Sequence, residues 1–76
     1  MTEKKTWLLI TFYTTAGAMA MEKHCREQGI PGRLIPVPRS ITADCGLAWR
    51  TEPSQRAAMS ELLARADVAG CYEMEL

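Results

Sequence analysis

Apolar residues fall into short segments along the chain, separated by prolines, glycines and polar turns. Residues 6–13 (TWLLITFY) are a continuous run of aromatic and branched side chains, which is typical of a buried central strand. Residues 71–76 (CYEMEL) instead alternate between apolar and charged positions, as strands do. The whole pattern predicts, in order, a strand over 6–13, a helix over 16–28, strands over 32–37 and 46–51, a helix over 53–66 and a strand over 71–76.

Both helices are predicted from apolar residues at helical spacing and from signals at their ends. Ala18, Met21 and Cys25 form one stripe on the first helix. A pair of threonines precedes it, and either can cap its N-terminus, while Gly29 suits the left-handed residue that ends such a helix. The second helix has Pro53 in its first turn, and its stripe is Met59, Leu62, Leu63 and Ala66.

The order strand, helix, strand, strand, helix, strand predicts an α+β fold. Two helices of this length cannot cover both faces of a four-stranded sheet, so they should lie on one face. Right-handed crossovers then favour the ferredoxin-like split βαβ sandwich, an antiparallel sheet with spatial strand order 4-1-3-2. No linker or internal repeat divides the chain, so residues 1–76 are predicted to form a single domain.

Composition narrows the class of protein. The apolar share of 47% is that of a globular domain, and nine basic residues balance nine acidic ones. A neutral chain lacks the basic excess of proteins that bind nucleic acid through phosphates. No apolar run is long enough to span a bilayer, and the N-terminus does not resemble a signal peptide. We therefore expect a cytoplasmic protein with no membrane or nucleic-acid partner and no cofactor. Because the sequence has no hydrolase or nucleotide-binding motif, we expect a carrier protein more than a turnover enzyme.

Three cysteines give the chain its candidate chemistry. Cys25, Cys45 and Cys71 cannot all pair within one chain, and they lack the close spacing of a zinc knuckle or a redox pair. In a reducing cytosol the default is three free thiols. Cys45 stands at the end of a proline-punctuated loop, next to Gly46, so we expect its thiol to be reachable by solvent and by a second protein. Cys45 is therefore the candidate nucleophile.

The predicted topology suggests what could activate Cys45. The loop of residues 38–45 should lie at the same sheet edge as the start of the first helix, near the free amides of residues 15–18. The helix dipole contributes roughly 0.3–1 kcal/mol, and up to about 2, in favour of a thiolate. A thiol pKa of about 8.5 could thereby fall to between about 7 and 8, with Asp44 opposing the shift. The predicted supporting residues are Thr14, Thr15 and Gly17 at the helix start, and Arg39 and Gly46 in the loop.

The other residues that could react, Cys71, Cys25 and His24, can each be explained by a structural role. Cys71 begins the last strand, about two strand positions from Cys45, so it is either a resolving thiol or a structural cysteine. Cys25 and His24 are adjacent on a helix and point about 100° apart, so they cannot act as a pair. We expect Cys25 to fill the core, His24 to lie at the surface and no metal to be bound.

Alternate residues of the first strand should face opposite sides of the sheet. Leu8, Ile10 and Phe12 are predicted to face the helices. The open face would then carry Trp7, Leu9, Thr11 and Tyr13, joined by Trp49 or its neighbours. An apolar patch of this kind usually marks a contact surface, and we favour homodimer formation through it. An RNA-binding sheet, or a terminus or loop that covers the patch, are the alternatives.

The segments Ile10-Thr11-Phe12, residues 34–39 (LIPVPR) and residues 45–48 (CGLA) resemble a small bacterial family, the putative selenium/sulfur carrier proteins. The resemblance extends over about residues 6–75, and its most specific part is the Pro-x-Pro loop that ends in Cys-Gly. It implies transport of sulfur or selenium as a persulfide or selenopersulfide on Cys45, between a donor protein and an acceptor protein. Asp44 departs from the small neutral residue expected before the cysteine.

Three hypotheses therefore stand. The first is a sulfur or selenium carrier that acts through Cys45. The second is a small-ligand or regulatory module without chemistry, as many ferredoxin-like domains are. The third is a thiol-redox protein that uses Cys45 together with Cys71.

Overall fold

A computed structural model describes residues 5–39, 41 and 46–76 of the chain. Its elements are β1 (Thr6–Phe12), α1 (Thr15–Gln28), β2 (Arg33–Pro36), β3 (Leu47–Thr51), a 3-10 turn (Pro53–Gln55), α2 (Ser60–Leu63) and β4 (Val68–Glu75). The strands form one sheet in the order β2-β3-β1-β4, and every neighbouring pair is antiparallel. The predicted ferredoxin-like α+β fold and its strand order are confirmed.

Helix α1 begins and ends as its sequence predicts. Thr14 has an extended backbone, and its hydroxyl accepts a hydrogen bond from the Gly17 amide at 3.0 Å. Gly29 ends the helix in the left-handed conformation (φ 73°), which glycine adopts without a side-chain penalty. The next amide, that of Ile30, donates to the Cys25 carbonyl at 2.8 Å, and the buried Ile30 side chain joins the core. Both ends of α1 are thus fixed locally.

The core lies between the helices and one face of the sheet. As predicted, alternate residues of β1 face this layer, while the apolar stripe of α1 packs onto them. The buried cluster comprises Leu8, Ile10 and Phe12 of β1, Ala18, Met21 and Cys25 of α1, and Ile30, Trp49, Met59 and Leu62. No helix in the described part of the chain is long and apolar enough to cross a membrane.

Trp49 lies in this core, so of the two predicted alternatives for the open face, Trp49 or its neighbours, the neighbours are confirmed. In the strand registers Trp49 stands between Leu34 and Ile10, and only 2% of its surface is exposed. Residues directly opposite each other in antiparallel strands share one face of the sheet. The neighbours of Trp49, Ala48 and Arg50, therefore take the open face.

The second predicted helix is mostly absent from the structure. Residues 53–66 form a 3-10 turn, a stretch of turns and the single α-helical turn of α2. Neither Glu52 nor Met59, which precede the two helical pieces, makes a capping hydrogen bond with its side chain. The Met59 amide is shared between the carbonyls of Gln55 at 3.0 Å and Arg56 at 3.2 Å, which mixes α and 3-10 geometry. Met59 and Leu62 are nevertheless buried, and Ala66 is exposed.

The opposite face of the sheet is partly covered by its own side chains. Leu9 is fully buried there, because Arg50 of β3 and Tyr72 of β4 stand directly opposite it. The Tyr72 ring also lies over Gly70, where an added Cβ would be 2.9 Å from the ring. Tyr13 and Tyr72 keep 54% and 41% of their surface exposed. The open face therefore offers less free apolar surface than the sequence pattern predicts.

Candidate functional site

The loop of residues 38–45 connects β2 to β3 at the edge of the sheet where α1 begins. Pro36 pairs with Leu47, and Ala48 pairs with Thr11, so β1 and β2 end at the same edge. Helix α1 starts at Thr15, directly beyond the end of β1. The ends of β1 and β2 and the start of α1 thus lie at one edge of the sheet, as the predicted topology requires. Cys45 and residues 40 and 42–44 lie outside the described residues, so the exposure of the Cys45 thiol stays a prediction.

The described ends of this loop are fixed by backbone hydrogen bonds. The Val37 amide donates to the Gly46 carbonyl at 3.0 Å, and the Ile41 amide donates to the Pro38 carbonyl at 3.0 Å. Gly46 is exposed and adopts a left-handed conformation (φ 75°), with no atom within 4 Å of an added Cβ. Its backbone, and not crowding, therefore favours glycine. Arg39 is exposed, and its predicted support of Cys45 stays a prediction.

The start of α1 is less open than we expected. Of the four amides predicted to be free, two donate to Thr14: the Gly17 amide to its hydroxyl and the Ala18 amide to its carbonyl, at 3.0 and 3.2 Å. Thr14 and Thr15 are both exposed, whereas Gly17 is buried. Thr14 therefore acts as the helix cap, and two of the amides proposed to face the thiol are already satisfied.

Asp67 lies beside the start of α1, which the sequence analysis did not predict. An added Cβ on Gly17 would be 2.9 Å from the Asp67 Cβ, and the Asp67 carbonyl accepts a hydrogen bond from the Tyr13 amide at 3.1 Å. The Asp67 carboxylate lies 3.4 Å from the Arg65 Nε. A carboxylate here partly balances the positive end of the helix dipole. The position of Asp67, directly before a strand that pairs with the end of β1, is the signal that could have revealed it.

Cys25 fills the core, as predicted. Its side chain on α1 is fully buried, and this burial raises the pKa of the thiol from its ordinary value of 9.0 to about 11. At neutral pH the Cys25 thiol is therefore protonated and out of reach of a second protein.

Cys71 lies inside β4, and not at the start of the last strand as predicted. The strand begins at Val68, and Cys71 pairs with Ile10, on the side of the sheet that faces the helices. It is half-buried and packs against the core cluster. Burial raises the pKa of its thiol; Arg56 lowers it and Glu73 raises it further, both by smaller amounts. This environment favours the structural role of Cys71 over the resolving one.

His24 connects α1 to the segment that follows α2. Its Nε2 lies 3.2 Å from the Arg65 Nη1, and its Nδ1 lies 3.9 Å from the Glu27 Oε1. Because a guanidinium can only donate, the contact with Arg65 is a hydrogen bond in the tautomer that leaves Nε2 free to accept. Among the residues that the structure describes, no group of three or more His, Cys, Asp or Glu side chains could hold a metal ion.

A model of one protein family matches most of the chain. A family model described as "Putative Se/S carrier protein-like" matches residues 8–73, from β1 to β4. No curated protein and no solved structure matches the chain. Since the match extends over most of the sequence, the chain belongs to this family.

Proposed function

We propose that this member of the Se/S carrier family holds a transferable sulfur or selenium atom on Cys45. Family membership supports a carrier role in general, with donor and acceptor partners. The observation that supports Cys45 in particular is the state of the other two thiols. Cys25 and Cys71 lie on the side of the sheet that faces the helices, and burial raises the pKa of both. Cys45 is the remaining thiol.

The transfer step that we propose is an exchange between a thiolate and a persulfide. The Cys45 thiolate attacks the outer sulfur of a persulfide on the donor protein, and a new S–S bond forms while the donor's S–S bond breaks. The donor leaves as a thiolate, and Cys45 becomes the persulfide. Attack by a thiolate of the acceptor on the outer sulfur reverses the exchange and regenerates the Cys45 thiolate. The step needs no external oxidant or reductant, and selenium follows the same course.

The charges near the start of α1 both favour and oppose a thiolate on Cys45. The positive end of the α1 dipole favours a thiolate, whereas Thr14 occupies two of its amides and Asp67 adds negative charge beside it. A strongly stabilised thiolate would be a poor nucleophile, since nucleophilicity falls as the thiol pKa falls. We therefore propose that the surroundings balance thiolate formation against reactivity.

We also propose where the protein acts and how it associates. Transfer on a free thiol suits the cytoplasm, where cysteines stay reduced. A homodimer through the open sheet face is proposed because Tyr72 and Leu76 are exposed there. Sedimentation equilibrium of the full chain tests this association, and a monomer at millimolar protein concentration would reject it.

The carrier proposal is tested by loading the protein. The chain is incubated with a cysteine desulfurase and cysteine, or with a selenocysteine lyase and selenocysteine, and its intact mass is measured. We expect a gain of one sulfur or one selenium atom, absent in Cys45→Ser and retained in the matched control Cys71→Ser. An adduct that persists in Cys45→Ser, or no adduct with either enzyme, would reject the proposal. A loss of two hydrogens under mild oxidant that Cys71→Ser abolishes would favour the redox hypothesis instead.

A further inference from the structure

A pocket of about 260 Å³ lies at the opposite edge of the sheet from the loop of residues 38–45. Its wall includes Trp7 near the start of β1, Gly32 and Arg33 at the start of β2, and Arg50 and Glu52 at the end of β3. The registers agree with this placement, since Arg33 pairs with Arg50, and the next residue, Thr51, pairs with Leu8. The pocket is therefore separate from the proposed carrier site.

Two arginines meet in this pocket. Arg33 and Arg50 are direct partners across β2 and β3, so both side chains lie on the open face of the sheet. Like charges directly opposite each other destabilise a strand pair. Neither arginine forms an ion pair with another residue in the described ranges. A bound anion would offset their mutual repulsion.

The Arg50 side chain is held in place by an aromatic ring. Its Cζ lies 4.2 Å from the centroid of the Trp7 ring, which is within the range of a cation–π interaction. The Nε of Arg50 is buried and donates no hydrogen bond within the described part of the chain. A guanidinium that is fixed in orientation keeps its planar fork of donors ready for a bidentate contact with a carboxylate or phosphate.

The acidic residue of the pocket does not neutralise the arginines. Glu52 pairs with Lys5, whose Nζ lies 4.7 Å from the Trp7 ring centroid. The remaining charge of the pocket is therefore positive. Its volume is close to the lower end of ordinary ligand sites, which fits a small molecule.

We propose that this pocket binds a small organic anion, whose carboxylate or phosphate contacts Arg33 and Arg50 and whose apolar part contacts Trp7. The proposal does not depend on the carrier chemistry of Cys45. The Cys45→Ser variant therefore keeps the binding, and a failure of the carrier proposal leaves this one untouched.

The test is an NMR titration of the full ¹⁵N-labelled chain at constant ionic strength. The probes are benzoate and phenyl phosphate, which separate a carboxylate from a phosphate preference, with neutral benzyl alcohol as the control. We expect at least one anion to give saturable shifts of the Trp7 indole N–H and of the amides of residues 32–33 and 50–52. Benzyl alcohol should give none.

Variants then test the arginines. Arg33 is exposed, and Arg33→Gln should weaken binding by roughly tenfold or more, because hydrogen bonds between charged groups are strong. Arg33→Lys keeps the charge without the fork and should weaken it less. Arg26→Gln removes the same charge from the exposed side of α1 and should leave binding unchanged. The proposal is overturned if neither anion saturates, if benzyl alcohol binds equally well, or if Arg26→Gln weakens binding as much as Arg33→Gln.

Discussion

Alkylation of the folded chain at neutral pH should modify Cys45 alone. Burial raises the pKa of Cys25 from 9.0 to about 11. At a pH well below both values, a shift of two units lowers the thiolate fraction by about a hundredfold relative to an unshifted thiol. Full burial of the side chain slows the reaction further, because the reagent reaches Cys25 only when the chain opens locally. Cys71 should also react slowly, since burial raises its pKa as well.

The assay is a time course with iodoacetamide, read by intact mass and peptide mapping. The wild-type chain should gain one adduct quickly, on Cys45, and two more only in denaturant. Cys45→Ser should gain none in native buffer over the time in which the wild type gains its first. If Cys45→Ser is alkylated on Cys71 or Cys25 at the wild-type rate, the described environments of these thiols do not protect them. The assignment of the carrier thiol by elimination would then be wrong.

Three further predictions concern stability and the helix start. The folded state keeps the Cys25 proton to a higher pH than the unfolded state does. The free energy of unfolding measured in urea should therefore fall by about 2–3 kcal/mol as the pH rises from about 9 to 11. The Cys25→Ala variant should lack this slope. Gly32→Ala should lower the free energy of unfolding by about 1–3 kcal/mol, because its Cβ would lie 2.5 Å from the Arg50 carbonyl oxygen and 2.6 Å from the Trp49 ring. Asp67→Asn should speed the alkylation of Cys45, because it removes a negative charge beside the start of α1.

Each of these predictions has a matched control. Cys71→Ala should keep most of the alkaline slope. Gly29→Ala places a Cβ in open space, so only its left-handed backbone opposes alanine, and a greater loss there than at Gly32 would contradict the steric argument. Glu61→Gln removes an equal charge from exposed α2, and an equal acceleration there would mean that net charge, and not Asp67, controls the thiol.

The strand and the helix with a clear apolar pattern or a clear cap could be predicted from the sequence. The continuous apolar run of β1 and the capped, striped α1 are both local patterns, and both lie within one or two residues of the prediction. Once these were placed, short connections and right-handed crossovers left few topologies, and the strand order followed. Cys25 could be assigned to the core because it lies on the stripe of α1.

The errors arise where local pattern and tertiary environment disagree. Residues 53–66 have helical spacing, and Met59 and Leu62 are buried as that spacing predicts, but neither helical piece has a side-chain cap. The short α2 also explains why Glu73 can lie on the helix side of β4, where it pairs with Arg56 at 4.0 Å. In β3, Trp49 and Arg50 are neighbours that are both long enough to cover a face, so alternation alone does not say which side faces the core.

The hydrogen bond between Val37 and Gly46 joins the two stems of the loop before the strands separate. This pair closes the ladder between β2 and β3, so residues 33–37 and 46–51 set the register of these strands by themselves. Lengthening the connection between residues 37 and 46 should cost little entropy, about 0.6 kcal/mol for each doubling of its length. Insertions between these stems that keep Cys45 can therefore lengthen the connection without changing the register of the sheet.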